Sequence, residues 1–488
     1  MGQRGRIAAM MLGIATLPLP AHAQTVEELQ QQIDELKAQL RELIALQKAQ
    51  APAAPAAATA STAEKPPFVA APPVTLPAAV AQQGAEQSAP TPAASVVADA
   101  GATKRRPWFQ KIGLRGYTQL RLNEIVAGDA TAPAGRSRLR SPGDSGITDQ
   151  GNFTFRRIRL VFSGNVTDDV AFYFQPDFAS AVNDQSNGER REGFAQLRDA
   201  YVDWFPDRER RFRLRFGQSK VPYGWENMQS SSNRLTLDRS DGINSAIPSE
   251  RDLGIAGYYT PAVVQRVWDR LADDGQKLFG NFGAFGVGVF NGQGVNRPER
   301  NNGLMTVATG TWPFALDELG SAFRGQVLEV GGAVMRNRVR PEVRTGGVSA
   351  ASFKDDRVGV HAILYPQPVG VQAEWNWGRG PEFDPLIGAI TTRDLDGGYV
   401  QGMARVRNSP LGPFMPYVRW QRYRGGWKAI TNAPRLETDE WEIGIEFQPI
   451  DPLELTIAFA DMTRREADER RIGRAEGQVI RTQLQWNY

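Results

Sequence analysis

The 488-residue sequence contains no cysteine, which excludes disulfides and thiolate metal sites. It has only two histidines, His22 and His361, and His361 stands alone in a strand-like stretch. No metal-ligand spacing, nucleophile elbow or phosphate-binding loop occurs, so neither an enzyme nor a cofactor is expected. Long apolar runs are also missing. Beyond the first twenty residues none reaches the length of a membrane-crossing helix, and the mean hydropathy is −0.41. Any passage through a membrane must therefore use strands. Lysine is scarce, with nine residues against 48 arginines. Arginine offers oxyanions a planar fork where lysine is a point charge. The formal net charge of +3 predicts no partner and gives no ground for nucleic-acid binding.

One stretch organises the chain, Phe153 to Phe178. Ile158, Leu160 and Phe162 alternate with Arg157, Arg159 and Ser163, and Asn165 to Asp169 supply turn chemistry. Val170, Phe172 and Phe174 then alternate with Ala171, Tyr173, Gln175 and Asp177, which completes a β-hairpin. Its polar face carries arginines. A soluble sandwich buries its apolar face, whereas a membrane barrel turns it to lipid and sends charges into a wet lumen.

In chain order, residues 1–23 read as a secretory signal, with Arg4 and Arg6, an apolar middle and an Ala21-His22-Ala23 cleavage site. Residues 24–50 hold Val26, Leu29, Ile33, Leu36, Leu40 and Leu43 at alternating steps of three and four, the seam of a short periplasmic coiled coil. Residues 51–107 are rich in alanine and proline and read as a disordered linker. Residues 108–488 read as strands throughout. About sixteen antiparallel strands follow one another, with short connections at Asn165–Asp169, Pro366–Pro368, Asn408–Pro413 and Gln448–Pro452. Segments 124–152, 179–193, 217–250, 378–398 and 464–475 read as long polar loops, the two-ended layout of an all-β outer-membrane barrel. Connections 261–279 and 314–325 are longer than that layout wants. In the last strand Gln478, Ile480, Thr482, Leu484, Trp486 and Tyr488 share the lipid face.

Phe155-Arg156-Arg157, Asp199-Ala200-Tyr201-Val202-Asp203, the block from Phe216 to Asn227 and the pair Ser230-Ser231 resemble the phosphate-selective porin O/P family. The likeness covers about Lys111 to Tyr488. It implies a trimeric barrel in the outer membrane of a Gram-negative bacterium, in contact with its lipids, whose third loop folds into the pore. By local alignment Arg115 and Arg157 match basic positions of the family's pore. Asn227 stands where phosphate-specific members carry lysine, while Lys220 and Arg159 stand where they carry aromatics.

Alternation aims Arg115, Arg121, Arg157, Arg159, Arg213 and Arg215 inward, and Lys220 joins them in the third loop with Tyr223, Glu226, Asn227, Ser230 and Ser231. Rings of basic side chains select anions. The expected function is an outer-membrane porin for small anions, phosphate or polyphosphate-like solutes among them, with Lys220, Arg157 and Arg159 on the basic side of a constriction. Two alternatives stand beside it. In the first the arginines brace the wall against Asp177, Asp199 and Asp203, leaving a general diffusion pore of weak selectivity. In the second the barrel anchors a tether whose N-terminal coiled coil contacts the cell wall.

Overall fold

The computed structural model describes residues 108–488, apart from 133–136, 140–143, 145, 149–150, 180–194, 281, 411 and 471. The expected signal, coiled coil and linker, residues 1–107, lie outside the described residues. The first strands are β1 (Gly113–Gly128), β2 (Asn152–Asn165), β3 (Val170–Asp177), β4 (Gln196–Trp204), β5 (Phe212–Lys220) and β6 (Arg251–Tyr259). Next come β7 (Phe285–Phe290), β8 (Met305–Ala315), β9 (Val327–Arg336), β10 (Arg338–Val339), β11 (Phe353–Lys354) and β12 (Asp356–Leu364). The last are β13 (Val369–Asp384), β14 (Ala389–Ala404), β15 (Phe414–Gly426), β16 (Arg435–Ile450), β17 (Leu453–Ala467) and β18 (Ala475–Asn487).

All but β10 and β11 close into one antiparallel barrel of sixteen strands, sealed where β1 pairs with β18. β10 and β11 form a separate two-stranded sheet. No helix among the described residues is long and apolar enough to cross a membrane. Closure removes every unpaired sheet edge, which a bilayer would penalise. Side-chain alternation follows the sequence: in β18, Val479, Arg481, Gln483 and Gln485 are buried, while Gln478, Ile480 and Leu484 face out. The outward apolar faces stay exposed, Ile443 by 62%. Trp375, Trp420 and Trp441 stack side by side on the outer surface of β13, β15 and β16, with ring centroids 5.9 and 6.4 Å apart.

Two connections differ from the sequence reading. Residues 378–398 are no long loop. β13 and β14 continue through them as a hairpin in register from Val369↔Ala404 to Asp384↔Ala389, closed by residues 385–388. Above the tryptophan row, Arg379 and Asp394 pair at 3.0 Å on the outer face, so the polar residues that suggested a loop belong to strand rising beyond the apolar belt. The long connection 261–279 contains an amphipathic helix, α3 (Ala262–Asp273), which buries Val264, Trp268 and Leu271.

Candidate functional site

The third long loop, residues 221–250, crosses the lumen and is fixed to walls all round it. It contains two single-turn helices, α1 (Trp225–Met228) and α2 (Asp241–Asn244). The free backbone amides at the start of a helix favour a carboxylate. Glu374 of β13 provides one to α1, accepting from the amides of Trp225 and Glu226 at 2.6 and 3.0 Å. Residues 231 and 232 lean on the opposite wall. Gln119 of β1 donates to the Ser231 carbonyl at 3.1 Å, and Gln485 of β18 to the Ser232 carbonyl at 3.0 Å. α2 lies backbone to backbone on β14. A Cβ on Gly242 would meet Gly397 and Gly398 backbone atoms at 2.5 and 2.6 Å, so only glycine permits this approach.

A buried carboxylate organises the other flank. Each oxygen of Glu329 on β9 accepts two hydrogen bonds. Oε1 takes them from Trp225 Nε1 (3.1 Å) and Thr311 Oγ1 (2.9 Å), and Oε2 from Trp268 Nε1 (3.0 Å) and Tyr365 OH (2.9 Å). His361, the lone lumen histidine, lies 2.9 Å from Thr311 Oγ1 within this cluster.

The residues expected in the pathway take different places. Arg121 is fully buried, paired to Asp144 at 2.7 Å and Asp238 at 2.9 Å, and braces loops against the wall. Burial works against the Asp144 carboxylate, but Arg121 and Arg481 outweigh it and hold its pKa low. Arg159 pairs with Asp177 at 2.7 Å and donates to Tyr117 OH and Ser231 Oγ at 2.9 and 3.0 Å. Arg215 grips Asp203 with both nitrogens at 2.7 and 2.9 Å and stacks 3.8 Å from the Tyr201 ring centroid. Arg213 shares Asp203 at 3.7 Å. Bracing by Asp177 and Asp203 thus describes Arg159, Arg213 and Arg215, and Asp199 serves Arg251 instead, at 2.8 Å.

Lys220 points into the base of the third loop. Its Nζ donates to the carbonyls of Asn227, Met228 and Gln229 at 2.9, 3.3 and 2.6 Å and pairs with Glu250 at 2.9 Å. Asn227 is 0% exposed and donates to the Ile243 carbonyl at 3.0 Å, tying α1 to α2. Glu226 receives Arg419 of β15 at 2.7 Å and the Ser240 amide at 2.9 Å. Tyr223 is buried among apolar side chains. Ser230 Oγ lies 2.9 Å from Ser232 Oγ beside the lumen cavity.

Two expected arginines have no carboxylate partner among the described residues. Arg115 lines the cavity with no ion pair. Arg157 donates only to Gln119 Oε1, at 2.7 Å. A third such residue, Arg234 of the third loop, was not anticipated. It is 6% exposed, and none of its three guanidinium nitrogens has a hydrogen-bond partner. Burial lowers its pKa, with Glu226 and Asp238 acting the other way. Alternation cannot reveal such a residue, because loop positions have no in-or-out parity.

Below the third loop, toward the short-turn end, lies a cavity of about 1170 Å³. Its lining carries eleven basic and seven acidic side chains, an excess of positive charge. Tyr173 and Tyr201 stack along one wall at 5.1 Å. Glu446, Asp451 and Glu454 stand on the wall of β16 and β17. Among the described residues no cluster of acidic or histidine ligands suits a metal ion.

A closed membrane barrel whose lumen is crossed by a charged loop defines a porin, a channel rather than an enzyme. The chain belongs to the phosphate-selective porin O and P family, whose description matches residues 135–488. It is therefore an outer-membrane porin of a Gram-negative bacterium. No curated protein matches it. Solved structures resemble it at the level of fold. An anion-selective porin from Comamonas acidovorans shares 10% identity over 77% of this chain and 99% of its own, with a TM-score of 0.45. OmpT of Vibrio cholerae, in its trimer form, gives the same identity, coverage and score. OprB of Pseudomonas putida shares 8% identity over 78% of this chain and 95% of its own, at 0.46.

Proposed function

We propose that this porin passes small anions, phosphate and polyphosphate-like solutes among them, along a basic path past the third loop. The observation that supports the reading is a run of guanidinium groups without carboxylate partners among the described residues: Arg157 and Arg234 at the loop, then Arg115 in the cavity beneath. A cation already neutralised by a carboxylate does little for a passing anion. One that is enclosed and unpaired exerts its field across a low-dielectric gap, where charges interact more strongly than in water. Paired residues such as Arg159, Arg215 and Lys220 fix the walls and the loop between which these three act. The third loop is the constriction in this reading. The assembly is a homotrimer with its N-terminal segment in the periplasm.

Phosphate should block chloride current through the wild-type pore in planar bilayers, and Arg157→Gln should weaken that block. Equal block in both proteins would remove Arg157 from the path. A general diffusion pore is the second reading, favoured by Glu446, Asp451 and Glu454 on the opposite wall of the cavity.

A further inference from the structure

The connection between β6 and β7 does more than turn the chain. Its helix α3 docks on the Glu329 cluster through Trp268, and residues 274–280 then leave that wall and cross the lumen. Gln276 donates to the Pro366 carbonyl at 2.9 Å, in the turn between β12 and β13. Arg405 and Arg407, beyond the end of β14, both reach the Asp274 side chain. Lys277 Nζ reaches Glu446 of β16 at 2.9 Å and Glu454 of β17 at 4.0 Å. In the ring of sixteen, β6 and β16 stand eight strands apart, so this ion pair joins opposite walls. The chain returns through Phe279, whose ring lies 5.4 Å from Trp268 and 5.9 Å from Trp225.

The crossing segment also meets the third loop from below. Gln229 donates to the Lys277 carbonyl at 3.1 Å, and Asn233 to the Leu278 carbonyl at 2.9 Å. We propose that residues 274–280 are a second constriction element, a periplasmic strap under the third loop, and that Lys277 is a specificity-determining residue. It latches the strap to the far wall and covers two carboxylates that would otherwise favour cations. Burial opposes its charge, but Glu446 and Glu454 outweigh that and raise its pKa, so the Lys277 ammonium is charged at neutral pH. The selectivity part rests on the anion reading above, whereas the narrowing part does not.

The test uses full-length protein in planar bilayers. Lys277→Gln should raise single-channel conductance about 1.5-fold and lower the anion-to-cation permeability ratio roughly twofold. Lys277→Arg should keep both wild-type values. Adding Glu446→Gln and Glu454→Gln to Lys277→Gln should restore the ratio while conductance stays high. If Lys277→Gln does not assemble, Asp274→Asn cuts the latch at its other end and should also raise conductance. Unchanged conductance in an assembled latch variant overturns the strap. A ratio that the two glutamine substitutions fail to restore overturns the role given to Lys277. A cation-preferring wild type whose conductance still rises on Lys277→Gln would refute the anion reading and leave the strap standing.

Discussion

Lys220 and Glu250 form an ion pair of 2.9 Å across the base of the third loop. Lys220 is the last residue of β5, and Glu250 immediately precedes β6, so the pair closes the loop where it leaves the wall. Both side chains are buried, and Lys220 also holds three carbonyls at the end of α1. Removing one partner of a buried pair costs about 3–5 kcal/mol when the other charge is left uncompensated. Glu250 keeps Arg251 at 2.8 Å and Arg239, so the cost here is smaller and falls mainly on the three carbonyls that lose their donor. Lys220→Gln should therefore lower the unfolding midpoint in denaturant and add noise to the open-channel current. A quiet channel of wild-type stability would show that the loop does not depend on this anchor.

Arg115 should behave in the opposite way. It lines the cavity without an ion pair among the described residues, so the described fold does not rely on it. Arg115→Gln is expected to lower the anion-to-cation permeability ratio and leave the thermal midpoint in place. Reversal potentials in a salt gradient and heat-modified gel mobility measure the two effects separately.

Arg234 combines both quantities with opposite signs. A buried polar group without partners costs about 1–3 kcal/mol, and a charged one more. Arg234→Met should raise stability by at least that amount while weakening phosphate block, a functional residue retained at the expense of the fold. Denaturant titration alongside chloride-current block tests it. A variant that is destabilised would mean that the guanidinium is satisfied in the working pore.

The strap should also respond to acid. Burial favours the neutral form of Asp274, but Arg407, Gln276 and Arg405 outweigh it and hold the carboxyl below its usual range. Gln367 donates to the same carboxylate. A depressed folded pKa means that the stabilisation is present above the ordinary carboxylate value of about 3.9 and is lost as pH falls through the lower folded value. The part of the acid response that belongs to Asp274 should be absent above about pH 4 and appear below it as a rise in conductance. Asp274→Asn should abolish this step at Asp274 and start from the higher conductance.

The two faces of β16 give a structural control. Ile443 faces out, 62% exposed, and arginine near the middle of a barrel's lipid face costs about 2–4 kcal/mol. Ile443→Arg should hinder assembly. Its neighbour Glu442 faces the lumen, accepting from Tyr417 OH at 2.9 Å and Arg481 at 3.3 Å, and Glu442→Gln should still assemble. Equal damage from both would contradict the assignment of faces.

The barrel was legible because period two survives wherever a strand has lipid on one side and water on the other. It failed above the tryptophan row, where Arg379 and Asp394 face water on the outside and Leu395 packs inward with Trp427, so the apolar side no longer marks lipid. The inward direction of the wall arginines was legible for the same reason, and Asp177 and Asp203 were legible as bracing partners, but which arginines they leave unpaired was not. Arg159 and Arg157 look alike in sequence, yet Asp177 reaches only the first. The third loop was recognisable by its residues but not by its geometry. Asn227, expected beside the solute, is turned toward Ile243, and Lys220 is turned toward α1. Both orientations follow from backbone groups that a folded loop must satisfy, and no strand periodicity encodes them.

Guanidinium groups without a carboxylate partner among the described residues, at and below the third loop, are proposed to make the pore anion-selective. The most direct test is the zero-current potential of the wild-type channel in a potassium chloride gradient. A potential of the sign set by chloride is expected, shifted toward zero by Arg115→Gln and further by adding Arg157→Gln. A wild-type potential of the sign set by potassium, or one that neither substitution moves, would contradict that role.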